Sequence, residues 1–480
     1  MINIHSIILI VFFNVQVTYV FSYDRAWDAP ASSDLKDAFI PGLIATGETL
    51  LSNGVVMLFN RYISNMPWAF PTAESIHGNF TTPWKWEDTD GFLVNQFGHP
   101  IQGAMYFSSG RLNGFGFYES LFFSALGSFT WETFGEAQHA SMNDFITSVT
   151  SSMAAGEILY RLYLEALASG VPPAIAAIIN PMAGFHRLVT GWTPPPGGGA
   201  PNTGGNIHRF QTQLGTGYAH TNYSVTDNRQ EVFTFRGPYI DAGLQTVYGN
   251  PFQQNTRTPY QHFELAASIG MNISNYNDIR IISDGYLLSF SPLNNLTNQM
   301  SNGLSMHLDF ISLGEFGIYD STIDLFSNAL NWTVKYRHFF TPQTAMETKI
   351  HAGFTFFGVS KFHTPEPRYF SPALPEKNEL NNFGFGFNAK RFYSLEHNNR
   401  YRLDIMMLNY MLWNYPGTSA LSNGFAFWHF TDISYSHGIS DRTALGLTGS
   451  IAREWGSFSG FPDTRKRNRS IKMFVAWNLS

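Results

Sequence analysis

Hydrophobic and polar residues alternate one for one over most of the chain that follows residue 207. The alternation is clearest in residues 263–273, 304–310, 330–337, 383–388, 401–407 and 471–479. A period of two places apolar side chains on one face of a β-strand and polar side chains on the other. The pattern recurs without an intervening helical stretch. We therefore predict a succession of antiparallel strands in this half of the chain.

Two architectures would use such strands, a soluble sandwich with a shared core and a transmembrane β-barrel with an apolar outer face. Three features favour the barrel: strands near ten residues long, a chain predicted to be exported, and aromatic residues near the strand ends, where a barrel has its interfacial girdles. These aromatic residues are Trp413, Tyr415, Trp428, Trp455 and Trp477. At about 20–25 residues per strand with its connection, residues 207–480 predict an even number of roughly 12 strands.

The N-terminal half has helical spacing instead. In residues 143–168 the apolar positions Phe145, Val149 and Met153 recur near every fourth residue. Residues 193–205 are rich in proline and glycine, a composition typical of a linker. We predict an α+β protein in two parts, with a helical domain at 23–192, a linker at 193–206 and the transmembrane β-barrel at 207–480.

The N-terminus carries a short apolar run at residues 7–13. This run is shorter than the roughly 20 residues that a membrane-spanning helix needs. Its position near the N-terminus and the small residue Ser22 are typical of a secretory signal, although a membrane anchor is the alternative. We predict a signal peptide at residues 1–22.

Composition agrees with a membrane barrel. Charged residues are 13% of the chain, about half the usual fraction of a soluble domain, whereas the mean hydropathy of −0.12 excludes a bundle of membrane helices. The net charge of −6 argues against a nucleic-acid partner, because domains that bind nucleic acid usually carry a basic surface. The chain has no cysteine, which excludes disulfides, thiolate metal sites and cysteine nucleophiles.

An exported barrel of this kind belongs in the outer membrane of a Gram-negative bacterium. Its expected partners are outer-membrane lipid and the barrel-assembly machinery. Outer-membrane barrels commonly end on an aromatic residue that this machinery recognises, whereas this chain ends Trp477-Asn478-Leu479-Ser480. This ending weakens the recognition signal, and Trp477 is the aromatic residue to which recognition could shift.

A series of polar and aromatic motifs runs through the helical half. They are Trp84-Lys-Trp86-Glu-Asp-Thr-Asp90, Asn95-Gln-Phe-Gly-His99-Pro100, Gly103-Ala-Met-Tyr106-Phe107, Arg111, Gly127-Ser128, Trp131-Glu132, Glu136, Ser141-x-Asn143-Asp144 and Gly156-Glu157-x-x-Tyr160-Arg161. Over roughly residues 45–190 their order resembles the bacterial family of unknown function numbered 3943, found in Gram-negative envelope proteins. The family has no established activity, so the resemblance implies an envelope location. The chain departs from the pattern at Ser151-Ser152, where a Gly-Gly pair is expected.

Four residues of these motifs are candidates for chemistry. Pro100 biases His99 away from helical geometry, and an imidazole held there could act as a general base or metal ligand. Glu132 and Glu136 lie four residues apart, hence on one face of a helix, and together with a histidine would suit a divalent metal or an acid–base pair. Arg111 could anchor an anion or pair with Glu119, Glu132 or Glu136. We name His99, Glu132, Glu136 and Arg111 as candidate catalytic residues, and the first three as candidate metal ligands; the cofactor is otherwise unknown.

Two other acidic residues have structural interpretations. The spacing from Ser141 to Asp144 before an apolar run predicts a capping box, in which Asp144 satisfies backbone N–H groups. Glu157 and Arg161 are four residues apart with opposite charges, which predicts a salt bridge along a helix.

Two functions of different class follow. In the first, the protein is an outer-membrane barrel with a helical plug or periplasmic domain, serving transport, scaffolding or envelope assembly. In the second, the helical domain is an envelope lipid- or glycan-modifying hydrolase that uses His99, Glu132 and Glu136. A hydrolase requires these side chains to converge beside a pocket. An outer-membrane barrel with a plug or periplasmic domain instead requires each acidic side chain to pair with an arginine or a helix cap. The sequence leaves open whether the chain is an enzyme.

Overall fold

The computed structural model describes residues 35–86, 90–191, 206–225, 231–253, 255–272, 276–315, 322–363, 379–415, 422–459 and 462–479. The predicted signal peptide and positions 193–205 of the predicted linker lie outside these residues. The chain divides into two compact units, Met1–Gly205 and Asn206–Ser480. Each unit is described by itself.

The described part of the first unit contains seven α-helices. They are α1 (Leu35–Tyr62), α2 (Ala73–Thr81), α3 (His99–Leu112), α4 (Leu121–Thr130), α5 (Met142–Ala168), α6 (Pro173–Ile179) and α7 (Pro181–Thr190). A short 3₁₀ turn lies at Pro67–Ala69, and π-helical turns at Val94–Gly98 and Trp131–Gly135 precede α3 and follow α4. The predicted helical fold of this half is confirmed.

Side-chain caps fix where several helices begin. The Ser141 hydroxyl accepts a hydrogen bond from the Asp144 N–H at the start of α5, and the Asn180 side chain accepts one from the Ala183 N–H at the start of α7. Pro181 occupies the first position of α7, where its missing N–H costs no helical hydrogen bond. Gly191 ends α7 with a left-handed φ of 67°.

The helices α3 and α5 cross closely. A Cβ added to Gly103 of α3 would overlap the backbone carbonyl of Ser148 on α5, so the crossing depends on a glycine at this position. Ser151 and Ser152, which stand where the family pattern has two glycines, are fully buried on α5. The close crossing is therefore provided by the glycine of α3.

Most of helix α1 is apolar. By length and composition its residues Phe39–Tyr62 could cross a membrane, and no other helix in the described residues meets that criterion. Core helices of soluble proteins and signal sequences satisfy the same test, so we assign no membrane span to α1. Its apolar side chains Leu51, Val55, Leu58 and Phe59 are about half exposed.

The second unit is a closed barrel of twelve antiparallel strands, in which β1 pairs with both β2 and β12. The strands are β1 (Ile207–Val225), β2 (Glu231–Tyr248), β3 (Phe263–Met271), β4 (Tyr276–Asn294), β5 (Asn298–Glu315), β6 (Ile323–Thr341), β7 (Thr344–His363), β8 (Glu379–His397), β9 (Tyr401–Asn414), β10 (Ser422–Gly438), β11 (Thr443–Ser459) and β12 (Thr464–Asn478). The predicted barrel of about 12 strands is confirmed, and the sandwich alternative is wrong.

The two ends of the barrel have connections of different length. At the end where β1 begins and β12 finishes, the strands are joined by the short turns 295–297, 342–343, 398–400 and 439–442 and by the longer segment 249–262. We call this the short-turn end. The opposite end, here the long-loop end, has the longest connection of the barrel, residues 364–378. Bacterial outer-membrane barrels place short turns on the periplasmic side.

The outer face of the barrel carries apolar side chains across its width. Among the exposed ones are Leu214, Ile240, Ile269, Trp332, Ile350, Phe387, Ile433, Leu447, Ile471 and Met473. On β9, the outward residues Tyr401 and Trp413 are 12 positions apart, which at about 3.3 Å per residue and a tilt near 40° spans roughly 30 Å along the barrel axis. That span equals the usual thickness of a bilayer's hydrocarbon core, roughly 30 Å.

Trp428, which we predicted to lie in an interfacial aromatic girdle, points into the barrel. Trp428 is fully buried in the barrel interior, where it packs in an apolar cluster with Tyr410 and Phe430. Its neighbours Phe425 and Trp455 do lie on the outer face, with ring centroids 5.9 Å apart. The prediction for Trp428 was wrong because an inward aromatic in an alternating strand looks the same in sequence as an outward one.

Candidate functional site

Two carboxylate side chains and one imidazole converge in the helical unit. His99 stands at the first position of α3, Glu132 in the π-helical turn after α4, and Asp144 in the first turn of α5. Each offers one ligand atom, and these atoms lie within 4.8 Å of one another. His99 Nε2 lies 3.7 Å from Asp144 Oδ1. We call this set the helical triad.

The backbone that carries the triad differs from the prediction in two respects. His99 has φ −62° and ψ −39°, so it is helical although a proline follows it, and the bias expected from Pro100 does not determine its conformation. Glu136 has extended backbone, with φ −128° and ψ 150°, because the helix ends at the π-helical turn. The prediction that Glu132 and Glu136 share one helix face was therefore wrong.

Glu136 has a structural partner of its own. The indole Nε1 of Trp131 donates a hydrogen bond of 2.5 Å to Glu136 Oε1. The carboxylate that lies with His99 and Glu132 is instead Asp144. The predicted grouping of His99 with Glu132 is present, and its third predicted member is not part of the set.

The Asp144 carboxylate lies in the helical triad because Glu132 accepts the backbone hydrogen bond that we predicted for Asp144. In a capping box its carboxylate would accept the N–H of Ser141. That N–H donates to Glu132 Oε2 at 2.8 Å, so Glu132 replaces Asp144 as the acceptor. The Asp144 carboxylate lies near His99 and accepts a hydrogen bond from Asn143 Nδ2 at 2.9 Å. The order of motifs alone could not show this exchange, since it depends on the packing of Glu132 against the start of α5.

Ser141 remains the cap of α5, and its removal has a predictable cost. Ser141→Ala is expected to destabilise the helical unit by about 1 kcal/mol, because the Asp144 N–H loses its side-chain acceptor. Urea unfolding of the full chain, followed by helical circular dichroism, measures the change. Ser169→Ala at the exposed C-terminal end of the same helix is the control, with an expected change below about 0.5 kcal/mol. Equal effects of the two variants would contradict the capping role.

Arg111 is engaged away from the helical triad. Its Nε lies 2.8 Å from Glu157 Oε2, and its guanidinium lies 4.8 Å above the ring of Tyr160. Arg161 Nε donates to the other oxygen of Glu157 at 2.7 Å, which is the predicted salt bridge of α5. Arg111 thus ties α3 to α5 through Glu157, which was not among the three glutamates considered from the sequence.

Tyr106 connects α3 to α1 in the same buried region. Its hydroxyl donates to Asn53 Oδ1. Burial raises the pKa of Tyr106 well above its usual range, and the nearby carboxylates of Glu132 and Glu136 raise it further. The phenol therefore stays neutral and serves as a hydrogen-bond donor.

Burial limits what the helical triad can do. The exposed fractions of His99, Glu132 and Asp144 are 5%, 2% and 1%. A hydrolase needs such groups beside a pocket that admits its substrate. The arrangement is suited to holding a cation or sharing a proton inside the unit.

Part of the barrel interior is filled by the barrel's own side chains. Toward the long-loop end, inward residues of five strands form an apolar cluster. Its members are Ile311, Leu313, Ile323, Leu325, Leu408, Tyr410, Leu412, Ala426, Trp428, Phe430, Ala452 and Phe458. Lys466 of β12 also crosses the lumen there and donates to the carbonyl of Thr322 at 2.7 Å. We call this region the apolar layer.

Charged pairs cross the middle of the lumen. Arg280 of β4 donates to Asp432 of β10 at 2.8 Å, although these strands are far apart in the barrel wall. Lys390 of β8 pairs with Asp309 of β5. We call this region the charged layer, and it includes a lysine on β6.

That lysine, Lys335, is surrounded by three side chains of the types found in the helical triad. Its Nζ lies 2.8 Å from His262 Nε2, Glu264 Oε1 and Asp284 Oδ2. Lys349 also pairs with Glu264. The sequence analysis did not single out this group of residues, because their convergence depends on the register of β3, β4 and β6.

A cavity of about 260 Å³ lies in the lumen toward the short-turn end. Polar and charged side chains line it, among them Arg209, Gln213, Asp241, Lys349, Arg402 and Asp404. Most of these charges are paired, as in the 2.6 Å contact between Lys472 Nζ and Asp241 Oδ1. We call this space the vestibule.

Three solved structures illustrate what the chain is similar to. The Pseudomonas putida toluene transporter TodX has 10% identity and a TM-score of 0.23, with 56% of this chain and 89% of that chain covered. The NanC porin has 8% identity and a TM-score of 0.24, with 55% and 98% covered. A Pseudomonas aeruginosa FadL homologue has 10% identity and a TM-score of 0.23, with 56% and 90% covered.

None of the curated proteins matches this sequence. A family model described as a domain of unknown function matches residues 83–182, the stretch that contains all three residues of the helical triad. This match agrees with the resemblance inferred from the motif order. Residues 83–182 therefore match the family model DUF3943.

Proposed function

We propose that this protein is an outer-membrane β-barrel closed to free diffusion, which anchors its helical domain in the periplasm as a scaffold of the Gram-negative envelope. The observation that carries the proposal is the filled lumen. The apolar layer and the charged layer both span it with side chains of the barrel itself. A barrel filled in this way is a packed membrane anchor rather than an aqueous channel.

The outer face supports the membrane assignment. Side chains such as Ile240, Phe387 and Met473 would be costly to expose to water in these numbers, whereas lipid accepts them. The outward aromatic residues Tyr401 and Trp413 stand at the two edges of a bilayer-sized band. Outer-membrane lipid is therefore the proposed partner of this face, and the barrel-assembly machinery the proposed partner during insertion.

The order of the strands supports the periplasmic assignment of the helical domain. The chain enters β1 at the short-turn end, which in bacterial barrels is the periplasmic end. A filled lumen also leaves little space for a plug. We therefore favour the periplasmic domain of the two arrangements considered from the sequence.

Gated transport is the second candidate function, and the vestibule favours it. A polar cavity at one end of a closed barrel would serve as an entry site for a polar solute if the layers beyond it moved. Hydrolysis is not favoured, since the helical triad is buried and both Glu136 and Arg111 are engaged elsewhere.

Planar-bilayer recording of the purified full chain tests closure. The wild-type protein is expected to give no steady conductance. The triple variant Arg280→Ala, Trp428→Ala and Phe430→Ala removes large side chains from both layers and is expected to conduct. The control is Trp413→Ala with Phe425→Ala, which alters outward side chains of the same region and should leave the barrel closed. Steady conductance of the wild-type protein would overturn the proposal, and conductance induced only by an added solute would support gated transport.

Single cysteines test the topology, because the chain has none of its own. Ser459→Cys at the long-loop end is expected to react with an impermeant maleimide on intact cells. Ser440→Cys at the short-turn end and Ser169→Cys in the helical domain are expected to react only after the outer membrane is permeabilised. The opposite pattern would contradict both the orientation and the periplasmic assignment.

A further inference from the structure

The helical triad has the composition of a metal site. We propose that His99, Glu132 and Asp144 bind one divalent first-row transition-metal ion inside the DUF3943 domain. The inference is independent of the proposed function, since it concerns the interior of the helical unit and holds whether or not the barrel conducts.

The geometry is close to that of a bound ion. Two ligand atoms at about 2.1 Å from one metal ion are about 3.0 Å apart at a right angle and about 3.6 Å apart at 120°. His99 Nε2 and Asp144 Oδ1 are 3.7 Å apart, and no pair in the set exceeds 4.8 Å. A contraction of at most about 2 Å between the farthest pair, within the reach of side-chain rotation, brings the three atoms around one ion.

Neighbouring groups orient each ligand. Ser148 Oγ lies 3.5 Å from His99 Nδ1, on the side of the ring away from Asp144. The Ser141 N–H holds Glu132 Oε2, and the Asn143 amide holds Asp144 Oδ1. Ligands of protein metal sites are typically oriented by such hydrogen bonds to neighbouring groups.

A cation at this place would interact favourably with both carboxylates. Burying two carboxylates away from water costs several kcal/mol per ion unless positive charge compensates them. The barrel shows what the same donor set accommodates, since His262, Glu264 and Asp284 surround the ammonium group of Lys335 at 2.8 Å from each. In the helical unit, we assign the corresponding position to a metal ion.

The ligand types select the class of ion. Calcium and magnesium prefer sites built entirely from oxygen atoms, whereas an imidazole nitrogen favours first-row transition metals. One imidazole with two carboxylates therefore suits Zn²⁺, Mn²⁺ or Fe²⁺, with water completing the coordination.

Metal analysis of the purified full chain tests the site. The protein is stripped with a chelator, equilibrated with Zn²⁺ and freed of excess ion, and it is expected to retain about one equivalent per chain. Cobalt substitution is expected to give visible absorption bands of a nitrogen–oxygen site. Zn²⁺ should also raise the melting temperature of the helical circular-dichroism signal. Failure of the wild-type protein to retain Zn²⁺ would overturn the proposal.

Variants locate the ion at the triad. Asp144→Asn and His99→Gln are expected to weaken Zn²⁺ binding at least about 100-fold, and Asn143→Ala about tenfold, because it removes only an orienting hydrogen bond. The matched control is His186→Gln, which alters another buried histidine of the same unit, paired with Glu48 at 2.7 Å. It should keep the ion even if the unit becomes less stable. Equal retention by the Asp144 and His99 variants and the wild-type protein would show that the ion lies elsewhere and overturn the assignment.

Discussion

Replacing Lys335 with methionine is expected to destabilise the barrel by about 3–5 kcal/mol, because removing one partner of a buried ion pair leaves uncompensated charge. The ammonium group contacts Glu264 and Asp284 at 2.8 Å each, and the lysine side chain is only 1% exposed. Methionine retains much of the volume of lysine, so the loss reports charge rather than packing.

Urea unfolding of the full chain in detergent, followed by heat-modifiable gel mobility, measures the loss. The control is Arg402→Met, which removes a lumen cation whose partners Asp404 and Glu396 have side chains 38% and 34% exposed. Solvent screening reduces its expected cost to below about 1 kcal/mol. Equal losses in the two variants would show that burial does not set the strength of these pairs.

A compensating variant separates charge from shape at this position. Adding Glu264→Gln and Asp284→Asn to Lys335→Met removes both carboxylates that contact Lys335, of which Glu264 retains Lys349 as a second partner. The combined variant is expected to be more stable than Lys335→Met alone, because contacting residues of one network are not additive. A further loss of stability would mean that the carboxylates are satisfied by groups other than Lys335.

The barrel could be predicted from the sequence because its constraint is repeated along every strand. Outward positions meet lipid and inward positions meet polar groups, so each strand shows the period of two by itself. Trp428 shows the limit of this reasoning. Whether a large aromatic in an alternating strand faces lipid or the lumen depends on register, which a single strand does not specify.

The helical triad could be predicted only in part. His99 and Glu132 stand out as polar residues in apolar surroundings, and the structure brings them together. Glu136 was included on the assumption of regular α-helical spacing, which the π-helical turn Trp131–Gly135 removes. Asp144 was assigned to a cap because the sequence could not show that Glu132 accepts the N–H of Ser141.

The Lys335 cluster was beyond sequence reasoning for a different reason. Its members come from β3, β4 and β6 and the segment before β3, and they meet only after the barrel closes. The two units nevertheless follow the same physical rule. Each gathers one imidazole and two carboxylates in its interior, where burial of the carboxylates is costly unless hydrogen bonds or positive charge compensate it.

Gly103→Ala is expected to destabilise the helical unit by about 3 kcal/mol, at the upper end of overpacking costs, because the new methyl group has no space to enter. Its Cβ would overlap the Ser148 carbonyl oxygen and lie 2.8 Å from the carbonyl carbon, and both belong to the backbone of α5. Backbone atoms cannot rotate away as a flexible side chain can, so α3 and α5 must separate. Urea unfolding of the full chain, followed by helical circular dichroism, measures the loss.

Gly54→Ala in α1 is the matched control for this prediction. A Cβ at Gly54 meets nothing within 4 Å, so the change should stabilise the unit by about 0.5–1 kcal/mol through the helix preference of alanine. If Gly103→Ala lowers the free energy of unfolding and Gly54→Ala raises it, then the crossing of α3 and α5, rather than glycine content, sets the stability of the unit. Ser148 also lies beside His99, so separation of the two helices should loosen the helical triad as well. Gly103→Ala is therefore expected to weaken Zn²⁺ retention, whereas Gly54→Ala should leave it unchanged.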